Sequence, residues 1–162
     1  MEKKAFLKLC ANLFEANGFV RKGNTFYLEN ERGILLAFGL QKSSYDAYYY
    51  MEHGIAFKEI NKYLPYPKIN ELDINMGRIM TRFGKALWYE SLDEQSFCEI
   101  SNAVQNKLDV LFPIINAGKE EILKQILCPN PIKISYIFDG VAQYLGIDIE
   151  HLRTHHISIV TE

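Results

Sequence analysis

Cysteine is scarce in this chain, and its spacing excludes two common kinds of small protein. Three cysteines occur in 162 residues, at Cys10, Cys98 and Cys128. An odd number of widely separated cysteines gives neither a disulfide framework nor a zinc knuckle. We therefore expect each thiol to act as a small core side chain in a reducing compartment, and we expect no metal or other cofactor.

Long hydrophobic runs and an excess of one charge sign are missing as well. No apolar stretch approaches the roughly 18 residues that cross a bilayer, and the first residues are typical of an amphipathic helix rather than a secretory signal. Lys and Arg total 18 against 20 Asp and Glu, for a net charge of −2. This balance favours neither nucleic acid nor anionic membrane as a partner. The sequence thus predicts a cytoplasmic protein.

The motifs of several enzyme classes are also absent. No glycine-rich loop joins a predicted strand to a helix, which argues against a Rossmann or P-loop nucleotide site. No Gly-x-Ser-x-Gly turn presents a nucleophilic serine. Glu52 and His53 are neighbours on a predicted strand, so their side chains point to opposite faces and cannot act as an acid/base pair. These observations favour a non-catalytic protein over an enzyme.

Hydrophobic periodicity dominates the first third of the chain. Apolar residues make up 48% and aromatic residues 13% of the sequence, which is enough for a packed core and favours a sheet with large side chains. An amphipathic helix ends at Asn17-Gly18, where glycine suits a left-handed position. Three strands follow over 25–28, 34–40 and 47–57. Gly54 indicates a bulge in the third strand.

A hairpin and a long helix are predicted next. The hairpin consists of strands over 77–83 and 86–90, with Gly84-Lys85 as its two-residue turn. Apolar residues then recur at helical spacing from Phe97 onwards. We expect Pro113 to bend or end this helix.

Two shorter helices are predicted in the last third, over 119–127 and 134–146. The segments 58–75 and 147–162 show no hydrophobic period that would assign them to a helix or a strand. Two prolines flanking one tyrosine make the middle of the first segment a loop.

Strands followed by a run of helices predict the α+β fold class. The expected architecture is an antiparallel sheet of about five strands, with the N-terminal helix and the C-terminal helices packed on one face. We expect one domain over residues 1–162, in which 118–162 form a helical C-terminal extension.

Several short motifs point to a family. They are Gly18-Phe19 at the helix end, Lys22-Gly23-Asn24-Thr25-Phe26-Tyr27, Gln41-Lys42-Ser43-Ser44 before an aromatic strand ending near Gly54-Ile55, and Arg82-Phe83-Gly84 before Trp88-Tyr89. With these motifs in its first two thirds, the chain resembles the bacterial family called domain of unknown function 4304. The resemblance implies a small α+β domain, and it brings no activity, cofactor or catalytic residue.

A tyrosine cluster is the first candidate binding feature. Tyr49 belongs to the face that we assign to the core, and Tyr48 and Tyr50 belong to the other face. Tyrosine is enriched at protein interfaces, so these two side chains are candidates for a recognition surface. The alternative is that they pair with neighbouring strands on a covered face.

Two arginines are the second candidate. Arg78 and Arg82 would share one face of a predicted strand, about 13 Å apart at roughly 3.3 Å per residue. With Gln41 on a neighbouring element they would form an anion-binding patch, since guanidinium groups suit carboxylate and phosphate. The alternative is a solvent-facing strand that carries cross-strand ion pairs.

The third candidate is a metal site at His151, His155 and His156, in which His151 and His155 are the main candidate ligands and Asp148 or Glu150 could add another. His151 and His155 lie four residues apart and would share a helix face, as zinc ligands do in some hydrolases. The corresponding hydrolase motif needs a glutamate directly after the first histidine, and Leu152 stands there. The favoured interpretation is a solvated polar tail without a metal.

These candidates lead to two hypotheses of different classes. The first is a non-catalytic interaction domain, accessory or immunity-like, that binds a protein partner. Its expected binding residues are Gln41, Tyr48, Tyr50, Arg78, Arg82 and Trp88. The second is a small-molecule or anion-binding domain, including an enzyme of unrecognised type, with its site near Gln41, Arg82 and Trp88. A third possibility is a remnant protein with no site.

Overall fold

The computed structural model describes residues 1–82, 84–128, 133–154 and 157–161. The strands are β1 (Val20–Lys22), β2 (Thr25–Glu29), β3 (Ile34–Lys42), β4 (Tyr49–Phe57), β5 (Ile74–Arg78), β6 (Ala86–Leu87), β7 (Tyr136–Phe138) and β8 (Ser158–Val160). The helices are α1 (Lys3–Ala16), α2 (Glu94–Ala117), α3 (Lys119–Leu127), α4 (Asp139–Leu145) and α5 (Ile149–Thr154).

The eight strands form one mixed sheet in the order β1-β2-β3-β4-β5-β7-β8, with β6 paired to β4 off this path. Every pairing is antiparallel except that of β7 with β8, which is parallel. The predicted α+β class is confirmed. The prediction of about five strands in a purely antiparallel sheet is wrong, because β1, β7 and β8 have three residues each and are too short to show an alternating pattern.

The helices and one face of the sheet share the main core. Phe6, Cys10 and Phe14 lie one turn apart on α1 and are fully buried. They belong to the same apolar cluster as Phe38 and Ile55 of the sheet. This cluster also contains buried residues of α2 to α5, so all five helices contribute to the core on what we call the first face. Burial of these side chains is the main favourable term in folding.

The predicted hairpin over 77–83 and 86–90 is wrong. Strand β5 ends at Arg78, and both β5 and β6 pair with β4 instead of with each other. Between them the chain makes a tight turn, in which the backbone N–H of Thr81 donates to the Gly84 carbonyl and the reverse bond also forms. A nine-residue strand such as β4 is long enough for two short partners end to end along one edge.

The prediction that the helix ends at Pro113 is wrong, since α2 continues to Ala117; a bend at Pro113 stays a prediction. Pro113 is exposed, while Leu111 and Ile114 on either side are buried in the core. Proline removes one helical hydrogen bond, and the packing of its neighbours keeps the helix intact.

The predicted helix over 134–146 is a strand followed by a short helix. Ile137 pairs with Ile74 at the edge of β5, and α4 begins only at Asp139. The spacing of Ile134, Ile137 and Phe138 fits a helix as well as a short strand. The free edge of β5 decides between them, and only the tertiary structure provides that edge.

Residues 58–72, which we call the covering segment, lie across the other face of the sheet, the second face. Ile69 packs so closely on Gly39 that a Cβ at Gly39 would lie 2.9 Å from the Ile69 side chain. A second apolar cluster results, consisting of Tyr27, Leu35, Ala37, Ala56 and Leu72. The covering segment reaches only part of this face, and the end where β3 finishes and β4 begins carries the candidate site.

Candidate functional site

Five of the six predicted binding residues meet at that end of the second face. We call Gln41, Tyr48, Tyr50, Arg78 and Trp88 the tyrosine face. Gln41 and Tyr50 are register partners on β3 and β4. The ring centroids of Tyr48 and Tyr50 are 5.0 Å apart, and those of Tyr48 and Trp88 are 4.6 Å apart.

Strand geometry explains how these aromatic side chains come together. Tyr49 points to the first face, is 1% exposed and stacks on Phe6 at 5.6 Å. Tyr50, the next residue, therefore points to the second face. Leu87 of β6 pairs with Tyr49 of β4, which places the following residue, Trp88, opposite Tyr48. The alternation of side chains along this strand is the sequence signal that predicted Tyr49 on one face and Tyr48 and Tyr50 on the other.

Hydrogen bonds hold the two tyrosines in a defined arrangement. The Tyr50 hydroxyl donates to the Tyr48 hydroxyl at 3.1 Å. Hydrogen bonds from Ser43 and then Tyr50 lower the pKa of Tyr48, and donation to Tyr48 raises the pKa of Tyr50. The backbone N–H of Ser43 also donates to the Tyr48 carbonyl and closes the β3–β4 loop. Both rings are therefore oriented before any partner arrives.

Arg78 lies flat on this cluster. Its guanidinium carbon is 3.5 Å from the centroid of the Tyr50 ring, a cation–π contact. Its Nε donates to a carboxylate oxygen of Glu52 at 3.0 Å. Glu52 was not predicted to be a member of this site, although it lies two residues from Tyr50 and so on the same face. Guanidinium carries further N–H donors that can meet a carbonyl or carboxylate of a partner.

Arg82 does not share a strand with Arg78, and that prediction is wrong. It lies in the tight turn after β5, and its Nη1 forms an ion pair with Glu99 of α2 at 3.2 Å. The strand ends four residues before Arg82 because the chain turns away to start β6. The predicted pair of arginines along one strand is therefore not formed.

His53 is a buried histidine on the first face. Its Nδ1 lies 3.0 Å from the Gly77 carbonyl, and its ring stacks on Phe38 at 5.4 Å. Because a carbonyl can only accept, Nδ1 carries the proton. Burial, and secondarily the positive charge of Lys107, lowers the pKa of His53 to about 3. The imidazole is therefore neutral at physiological pH and acts as a core residue.

The predicted metal candidates lie largely outside the described part of the chain. His155 and His156 are not among the described residues, and His151 lies on α5, where its side chain is not described. Among the residues that the structure describes, no cluster of three or more His, Cys, Asp or Glu could hold a metal ion. Within the same ranges, no helix has the length and hydrophobicity that crossing a membrane requires.

Comparison with known proteins places the chain in a family. A family model described as "Domain of unknown function (DUF4304)" matches residues 10–126. This range includes β1 to β6, α2 and the whole tyrosine face, while β7, α4, α5 and β8 lie beyond it. No curated protein and no solved structure matches the chain. The match covers well over half of the sequence, and the chain therefore belongs to the DUF4304 family.

Proposed function

We propose that this protein is a non-catalytic interaction domain and that its tyrosine face binds a protein partner. The observation that carries the proposal is the contact of Tyr48, Tyr50 and Trp88 on a part of the sheet that the covering segment does not reach. The two tyrosines are half-buried, and Trp88 is 44% exposed. Tyrosine, tryptophan and arginine are the residues most enriched among those that dominate binding energy at interfaces.

The arrangement also reduces the entropic cost of binding. The hydroxyl–hydroxyl bond orients both tyrosines, and the ion pair with Glu52 holds Arg78 against Tyr50. Immobilising a flexible side chain on association costs about 0.5–1.5 kcal/mol. Side chains that are already ordered in the free protein avoid much of that cost, which favours this surface over one made of free lysines and glutamates.

Neighbouring loops extend the apolar surface at the same end of the sheet. Tyr45, in the β3–β4 loop, is 92% exposed, and Met80, in the turn after β5, is also exposed. A stable partner buries about 800 Å² on each protein. We expect the tyrosine face to form the centre of such an interface and these two residues to lie at its rim, as in an accessory or immunity-type protein of a bacterial cell.

The alternative was a small-molecule or anion-binding site near Gln41, Arg82 and Trp88. That site needs the Arg82 guanidinium to bind the ligand, and its Nη1 already forms an ion pair with Glu99 at 3.2 Å. The contacts of Arg82 therefore favour the protein partner.

Affinity capture followed by calorimetry tests the proposal. The tagged protein is used to capture partners from host lysate at about 0.15 M salt, where exposed charges are screened beyond about 8 Å. The captured protein is then purified and titrated. We expect Trp88→Ala to weaken its binding at least tenfold, because central aromatic residues contribute about 2 kcal/mol or more.

Val110→Ala is the matched control, since Val110 is an apolar residue on α2 whose exposure of 51% is comparable with that of Trp88. We expect this variant to bind as the natural chain does. A partner that binds Trp88→Ala and Tyr48→Ala with unchanged affinity would contradict the proposal, as would the absence of any stoichiometric partner.

A further inference from the structure

A small cavity lies at the opposite end of the sheet from the tyrosine face. It is half open to solvent and lined by the β2–β3 turn, the end of β4, the α2–α3 junction and α4, and its volume is about 210 Å³. That volume accommodates about seven water molecules at about 30 Å³ each. The cavity is smaller than the 300–1,000 Å³ typical of sites for drug-sized ligands, so a ligand here must be small.

The floor of the cavity is apolar. Ile34 and Phe57 line it and are almost fully buried in the core. The ring of Tyr144 packs beside Phe57, with centroids 5.4 Å apart. A bound molecule would therefore place an apolar group on these three side chains.

The rim carries two cations. Arg32 uses its Nε to donate to the Asn116 carbonyl at 2.9 Å, which leaves its two terminal nitrogens for a ligand. The ammonium nitrogen of Lys119 lies 4.6 Å from the centroid of the Tyr144 ring. In the described part of the chain, neither side chain forms an ion pair within 4.0 Å.

The rim also carries two carboxylates, Glu59 and Glu120. Glu59 accepts a hydrogen bond of 2.5 Å from the Tyr144 hydroxyl. Burial, and then this bond to Glu59, raises the pKa of Tyr144 to about 12. The phenol therefore remains a donor at physiological pH and anchors one oxygen of Glu59, while the rest of the carboxylate can accept from a ligand.

The mixture of charges disfavours the simpler ligand classes. An inorganic anion would meet the two glutamates, and a metal ion or an amine would meet Arg32 and Lys119. A purely apolar molecule would contact the floor and use none of the four charged side chains. A small zwitterion with an apolar group can pair with both the cations and the carboxylates of the rim, and its apolar group can pack on the floor.

We propose that this cavity binds a free α-amino acid with a short aliphatic side chain. Its carboxylate meets Arg32 and Lys119, its ammonium group meets Glu59 and Glu120, and its side chain rests on Phe57. The site is independent of the tyrosine face. It combines residues of the family range with Tyr144, which lies beyond that range.

Titration of the ¹⁵N-labelled protein with L-leucine, followed by NMR, tests the site. We expect saturable shifts of the Gly33 and Gly118 amides, which line the cavity. Two matched analogues lack one charge each: 4-methylpentanoate has no ammonium group, and 3-methylbutylamine has no carboxylate. Each should bind at least about tenfold more weakly, since each loses its hydrogen bonds to one pair of charged side chains.

Variants locate the ligand. Arg32→Gln and Glu120→Gln should each weaken leucine binding at least about tenfold. Glu120 is exposed on α3, so its variant stays informative if loss of the Arg32 contacts disturbs the fold. Lys124→Gln is the control, because Lys124 pairs with Glu121 outside the cavity and its removal should change nothing.

Three results would overturn the proposal. The first is the absence of amide shifts up to about 20 mM leucine, a concentration that corresponds to only a few kcal/mol of binding energy. The second is an equal affinity for leucine and both analogues. The third is unchanged binding in both variants. None of these bears on the tyrosine face, whose test uses a protein partner.

Discussion

Single residues in this protein owe their chemistry to their surroundings. His53 and Glu52 are neighbours on β4, yet His53 is buried beside Phe38 while Glu52 pairs with Arg78 on the other face. Desolvation penalises the charged imidazole, so burial lowers the pKa of His53. The same burial couples the stability of the fold to pH.

We predict that His53 makes the fold less stable in acid. Its pKa is about 3 in the folded protein and close to the ordinary value of 6.5 in the unfolded chain. Above pH 6.5 both states are neutral, and below it only the unfolded chain binds the proton. Between pH 7 and pH 5 this residue should therefore lower the free energy of unfolding by about 2 kcal/mol. Urea denaturation at both pH values measures the change.

The variant His53→Gln isolates this contribution, because glutamine does not titrate and retains an N–H that can reach the Gly77 carbonyl. Its free energy of unfolding should fall by about 2 kcal/mol less between the two pH values than that of the natural chain. An identical pH dependence in both proteins would contradict the assignment of His53 as a neutral core residue.

At the scale of elements, the covering segment depends on one buried carboxylate. Asp73 is 5% exposed and directly precedes β5. Its oxygens accept from the backbone N–H of Phe57 at 2.5 Å and from the Asn61 amide at 2.8 Å. These bonds tie both ends of the segment to the end of β4. Unpaired buried polar groups are costly, so Asp73 should contribute more to the stability of the fold than the exposed residues near it.

We predict that Asp73→Ala loosens the covering segment and destabilises the protein by about 2–4 kcal/mol, since the buried N–H of Phe57 loses its acceptor. Hydrogen exchange should accelerate across residues 58–72 more than in α2. Glu71→Ala serves as the control, because its ion pair with Lys68 is exposed and should contribute less than about 1 kcal/mol. Equal protection of 58–72 in both variants would show that Asp73 is not the anchor.

Helices and strands were predictable where one hydrophobic period continued over many residues. The apolar spacing of α1 and the alternation along β4 both survive in the structure, and so does the bulge near Gly54, where the register with β5 shifts. The short elements were not predictable. A three-residue strand such as β7 shows less than two full alternations, and its hydrogen-bonding partner β5 lies about 60 residues earlier.

The candidate site was predictable to the same extent. Alternation along β4 separates Tyr48 and Tyr50 from Tyr49, and the structure places them so. The position of Arg82 was not predictable, because it depends on where β5 ends. The cavity at the other end of the sheet left no sequence signal, since its residues come from separate segments of the chain.

At the scale of the whole molecule, the core extends beyond the range that the family model matches. Ile137, Val141 and Leu152 are buried in the main cluster, although they follow residue 126. Strand β7 also occupies the edge of β5. The C-terminal elements are therefore part of the packing that holds the sheet together.

We predict that a chain ending at Leu127 loses its cooperative fold. Removing the later elements exposes Ile74 and the facing side of the helix layer, and the cost should exceed about 5 kcal/mol, which is comparable with the whole stability of a small domain. Near-ultraviolet circular dichroism and urea denaturation measure this loss. A truncated chain that unfolds at the same urea concentration as the full chain would contradict it.

The sequence by itself determined the fold class, the N-terminal helix, the three central strands and the family, because these depend on local periodicity and short motifs. Tertiary structure alone decided the number and direction of the outer strands, the path of the covering segment and the pairing of Arg82 with Glu99. Those features depend on which free edge or uncovered face is available once β3 and β4 have paired. That availability arises from contacts between residues far apart in the chain, and a local pattern carries no information about it.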